Sequence, residues 1–265
     1  MKHQQYGWEY ALLAIVILVS IAGFWDIYVG ADADPTPYHH LHVVTNFLWL
    51  ALLLYQLSLI GSHKYRAHRT AGLAVLVMGP LLVATTALLT VHSAHKGVVS
   101  GQGDFLIVQN VMGTLELGLL ILLAFILRKQ RTLHGSFLLS TAILFLGIAL
   151  FFTLISFVPA FRIEGPETFH RFATAGRAGQ AVCLTVGVLF FLKDWRHGWP
   201  FLLAGSSFLL NDLIGSFLAG RNLIQPLTEL VGSLSPALTF VGTFAVLCTL
   251  LAATGIRGAR PRPGM

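Results

Sequence analysis

Eleven histidines lie along this chain, at the edges of long apolar runs. One group is His39, His40, His42, His92, His95 and His170; the other is His3, His63, His68, His134 and His197. His42, His68 and His134 open apolar runs, and His92 closes one. Two imidazoles from different helices can hold the iron of a haem b between them. Two or three imidazoles, with a carboxylate, can instead converge on a divalent metal ion. The first chemistry assigns His42, with His92 or His95, to one haem b and His68 with His134 to another. Gly72, Gly79, Gly113 and Gly118 are small enough to make room for it. The second chemistry uses His40, His42, His92, His95 and Asp104. Solvated histidines at a membrane surface would look the same one at a time.

Polar residues inside the apolar runs form a second set. His42, Asn46, Trp49, Leu53 and Gln56 are spaced 4, 3, 4 and 3 residues apart, which is one face of a helix. Gln109, Gly113 and Glu116 share another face, and His170, Thr174 and Arg177 a third. Asn211 and Asp212 fall in mid-run. An intramembrane carboxylate is costly unless paired or neutral, which makes Glu116 and Asp212 functional candidates. Arg177 and the Asn46/Gln56 stripe are their possible partners. A structural hydrogen-bond network between helices is the competing explanation.

The elements that position these residues are membrane helices. The chain has 265 residues, 55% hydrophobic and only 11% charged, with a mean hydropathy of +0.76. Soluble domains carry about 25% charged residues. The expected fold is an all-α polytopic membrane protein, one transmembrane domain with about eight helices. They are expected near 8–29, 40–61, 70–91, 105–127, 134–157, 179–192, 201–218 and 230–253. Helices two to five would form a four-helix core. About twenty apolar residues cross a bilayer core.

With eight spans, twelve of the seventeen lysines and arginines fall on the side that holds both termini. The positive-inside rule then makes both termini cytoplasmic, in a bacterial inner membrane. His42, His92, His95 and Asp104 would face outward, and His68 and His134 inward. The net charge of +6 sits in loops between spans, so it indicates topology and no nucleic-acid partner. Lys2, the apolar run from Ala11 and the small residues at Ala31–Asp32–Ala33 mimic a signal peptide, but the run is long enough to be a retained first helix. Cys183 and Cys248 both fall in apolar spans, and no CxxCH motif is present for covalent haem attachment. The pairs of spans around SHKYRAHR and RKQRTLHG echo each other, as a duplicated hairpin or as two ordinary basic loops.

The H-x-H start at His40–His42, Trp49, Gln56, the AHRTAG segment at His68 and the RTLHG segment at His134 resemble a family of bacterial multi-pass membrane proteins whose helices begin H-x-H and H-R-x-x-G. The DWRHGWP segment departs from that pattern, with His197 displaced. More distantly, the layout resembles di-haem b-type cytochromes of the ferric-reductase-like kind, with paired histidines near both surfaces. That resemblance implies electron transfer through haem b within helices two to five, with a redox partner or quinone.

Three functions follow as expectations. One is a haem-binding electron-transfer protein or reductase subunit. Another is a histidine-ligated metal enzyme acting on a lipid or other apolar substrate. The last is a transporter or sensor with Glu116 and Asp212 as proton or substrate sites, whose mark would be a polar central cavity lined by those residues and Asn211. The lipid bilayer is a partner in all three.

Overall fold

The computed structural model describes residues 6–30 and 33–257. His3, Lys2, Ala31, Asp32, Arg260 and Arg262 lie outside the described residues. The described chain is helical, in the order α1 (Gly7–Gly23), α2 (Trp25–Val29), α3 (Pro37–Gly61), α4 (Tyr65–Gly72), α5 (Val75–Ser100), α6 (Ile107–Ile126), α7 (Arg131–Phe157), α8 (His170–Lys193), α9 (Trp199–Ala219), α10 (Ile224–Gly232) and α11 (Pro236–Arg257). Seven of these, α3, α5, α6, α7, α8, α9 and α11, are long and apolar enough to cross a membrane. α1 is apolar but has 17 residues, about 25 Å at 1.5 Å per residue.

Several boundaries differ from the sequence expectation, each for a local reason. The expected span 8–29 breaks at Phe24 into α1 and α2. Its Gly23 packs so closely on the Ala149 carbonyl of α7 that a side chain there would collide. The expected span 70–91 moves along the chain. The basic stretch around His68 folds as the separate helix α4, and α5 runs on through His92 and His95 until Gly101, whose φ of 70° ends it. The expected span 179–192 begins earlier, at His170. The expected span 230–253 is interrupted: α10 stops at Gly232, and Pro236 starts α11 as its first residue.

α3 packs on α5, α5 on α6, and α6 on α7. α7 also carries α1, α8 and α9, so the buried core reaches beyond those four helices. Trp49 is fully buried, and its indole Nε1–H donates to Thr141 Oγ1 of α7 at 2.9 Å, which ties α3 to the hub. Small residues let α8 and α9 approach: a Cβ on Gly187 would lie 2.6 Å from the Phe201 carbonyl oxygen, and one on Gly205 2.5 Å from that of Cys183. Such close small-residue contacts drive helix association where the solvent is lipid. α11 packs against α5 and, less extensively, α6, and its outer face is exposed.

Candidate functional site

A cavity of about 280 Å³ opens inside the bundle. α3 contributes His39, His42 and Asn46, and α5 contributes residues from Thr86 to Lys96. α6 contributes Gln109, Asn110, Gly113 and Glu116, and α9 contributes Phe208 and Asn211. Leu144, Phe145, Ile148 and Phe152 of α7 form an apolar wall. Ten residues of α5 separate Thr86 from Lys96, so the cavity is about 15 Å deep along that helix. Gly113 helps keep it open, since a Cβ there would meet nothing within 4 Å.

The deep end is polar. Asn211 lies 3.0 Å from Gln109 Oε1 and 3.3 Å from Glu116 Oε2. Turning the Asn211 amide over still gives Glu116 a donor, with Nδ2 2.9 Å from Oε1. On the next residue, Asp212 accepts from Gln109 Nε2 at 3.4 Å and from Gln180 Nε2 of α8 at 2.7 Å. A chain of amides thus links the carboxyls of Glu116 and Asp212. Glu116 and Asn211 line the cavity, whereas Asp212 is exposed on α9.

Two residues that line the cavity, Asn46 and His42, also carry a buried polar atom with no hydrogen-bond partner. Asn46 is 1% exposed, and its Oδ1 has no hydrogen-bond partner. The Nδ1 atom of half-buried His42, one turn away on α3, is shielded from solvent and also without a partner. An orphaned buried polar atom costs about 1–3 kcal/mol. The two lie one turn apart on α3, beside the cavity.

The mouth of the cavity lies at the Lys96 end of α5 and is rich in donors. The Thr36 N–H donates to His39 Nδ1 at 3.2 Å as part of a capping box. His39 Nδ1 therefore carries the lone pair and Nε2 the proton. His92 packs against the Tyr38 ring at 4.7 Å and meets the His39 ring edge-on at 5.7 Å. Lys96, one turn beyond His92, is exposed. Among the described residues, Glu116, far down the cavity, is the sole acidic one lining it.

The proposed metal ligands have separate surroundings. His42 and His92 line the cavity, while exposed His40 packs on the Tyr28 ring at 5.3 Å. His95 Nδ1 lies 3.3 Å from the Gly232 carbonyl, beside a second cavity of about 650 Å³ that also touches His92 and Glu229. Asp104 accepts the Leu106 N–H at 2.9 Å where α6 begins. Among the described residues, no three His, Cys, Asp or Glu side chains are grouped to share one metal ion.

His68 and His134 differ in what they offer an iron. His134 Nδ1–H donates to the Ala124 carbonyl at 2.7 Å, which leaves the Nε2 lone pair free. The Gln56 amide fits between α3 and α4 with its oxygen 3.0 Å from the Gly72 N–H and its nitrogen on His68 Nδ1. His68 Nδ1 is then an acceptor, and its proton sits on Nε2. Burial, and then the charge of His134, hold the His68 imidazole below the ordinary histidine range. His134 is thus held through Nδ1 by Ala124, and His68 through Nδ1 by Gln56.

The helical stripe of α3 thus divides its labour. His42 and Asn46 serve the cavity, Trp49 and Leu53 the core, and Gln56 the α4 turn. Gln180 rather than Arg177 reaches Asp212 from α8. Sequence reasoning passed over Gln180, gave His39 no ligand role and treated Lys96 only as a loop charge. The helical period held the signal: His39 precedes His42 by three residues, and Lys96 follows His92 by four.

The chain matches no protein-family model, no curated protein and no solved structure.

Proposed function

We propose that this protein is a transporter or sensor of the bacterial inner membrane that binds a small molecule in the cavity between α3, α5, α6, α7 and α9. The observation that carries this reading is the cavity itself, within the bundle and lined by His42, Asn46, Gln109 and Asn211, with the hydrogen-bonded Glu116 at its deep end. Glu116 is the intramembrane acid of the site, and Asn211 and Gln109 orient it. Asp212 and Gln180 continue the polar chain toward α8. We count α1 and α2 together as an eighth span, with both termini cytoplasmic and the Lys96 end of the cavity facing outward. The excess of lysine and arginine on the opposite face supports that orientation.

Cysteine accessibility tests the reading. In a Cys248→Ala background, Gly113→Cys reacts with a membrane-impermeant thiol reagent applied outside intact cells. Failure to react under conditions that label an exposed outer-loop cysteine contradicts an outward-facing solute cavity.

A further inference from the structure

The two ends of the cavity differ in charge and in solvation, and that difference specifies a ligand class. At the mouth stand Lys96, the Nε2–H of His39, and His92. Lys96 lies near the end of a 26-residue helix, about 39 Å long, against a hydrocarbon core of about 30 Å. This places the mouth at headgroup level. Among the described residues no acidic side chain lines that end, and Glu229, the nearby carboxylate of α10, borders the second cavity instead. Between the mouth and the deep polar groups runs the apolar wall of Phe145, Ile148 and Phe152. The buried Asn46 lines the same space.

Resting on the reading that this cavity binds a solute, we propose that its ligand is an amphipathic organic anion. The acidic head sits on Lys96, His39 and His92, and the apolar body lies along α7 toward Asn46. A carboxylate or a phosphate monoester satisfies the mouth equally well, because both accept hydrogen bonds from an ammonium and from imidazole N–H groups. A cationic amphiphile meets the Lys96 ammonium there and, among the described residues, no carboxylate.

The test uses the full chain, carrying Gly113→Cys and Cys248→Ala, in phosphatidylcholine nanodiscs. The probes are decanoate and decyl phosphate, compared with decyltrimethylammonium and decanol. Decanoate and decyl phosphate are expected to slow thiol labelling by about tenfold, the change that ~1.4 kcal/mol of binding produces. Lys96→Gln removes most of that protection, and Lys96→Glu transfers it to decyltrimethylammonium. Lys96 is exposed, so neither change disturbs the core. Equal protection by the cation or the alcohol, or full protection in Lys96→Gln, overturns the proposal. Rapid labelling with no protection by either anion overturns this inference and leaves the solute cavity standing, whereas absence of labelling overturns the cavity reading itself. Nanodiscs containing phosphatidate, with no added probe, separate the sources: protection there identifies a bilayer lipid, and protection only by added probe identifies a free acid.

Discussion

Asn211 of α9 bonds to Glu116 of α6 at 3.3 Å across the helix interface, at the floor of the cavity. The amide also lies 3.0 Å from Gln109, so a single side chain satisfies two polar groups of α6. Replacing it with an apolar residue takes a hydrogen-bond donor away from the half-buried Glu116 carboxyl and leaves it Ser207. Asn211→Leu is therefore expected to destabilise the protein by about 1–3 kcal/mol. Glu116→Gln keeps a partner for Asn211 and is expected to cost less. Thermal unfolding in detergent compares the two, and a larger loss in Glu116→Gln would contradict the assigned bonding.

Asn46 should behave in the opposite sense. Its Oδ1 is buried and unpartnered, so Asn46→Leu removes a desolvated polar group without breaking a bond. The variant is expected to be as stable as the parent or more stable by about 1 kcal/mol. It should also weaken ligand protection at Gly113→Cys, because the site loses a polar anchor. Stability retained together with binding lost separates a binding residue from a structural one. A marked fall in the unfolding temperature would instead assign Asn46 a structural bond.

His68 gives a pH dependence of definite sign. Its imidazole is held below the ordinary histidine value in the fold, first by burial and then by His134. The unfolded chain therefore takes up a proton at a higher pH than the folded protein does. As pH falls through the ordinary histidine range, about 6.5, the unfolded state gains protons first and stability declines. Above that range the histidine contributes a constant amount. His68→Gln is expected to flatten this part of the profile relative to wild type, measured as unfolding temperature between about pH 5 and pH 8. Parallel profiles for the two proteins would refute the assignment.

The stripe from His42 to Gln56 was legible because helical period alone brings those residues to one face, and apolar neighbours require that face to turn inward. The Gln109–Gly113–Glu116 face was legible for the same reason. The ends of elements were less so. VHSAHKGVVS reads as an exit loop, yet its Gly97 stays helical where it packs closely on Gly103, and the helix runs to Gly101, so His92, His95 and Lys96 stay on α5. The break between α10 and α11 rests on Pro236, which starts a helix as readily as it ends one. Partners across elements depend on packing, which no local pattern encodes. Gln56 closes on His68 because α4 folds back beside α3, and that turn decides which His68 nitrogen carries the proton.

The most direct measurement is the accessibility of Gly113→Cys from the outer side of intact cells, set against Ala142→Cys in the fully buried core. The account predicts rapid reaction of the first with an impermeant thiol reagent and none of the second. Equal protection of both cysteines would show that no outward-facing cavity reaches α6, and would contradict the account.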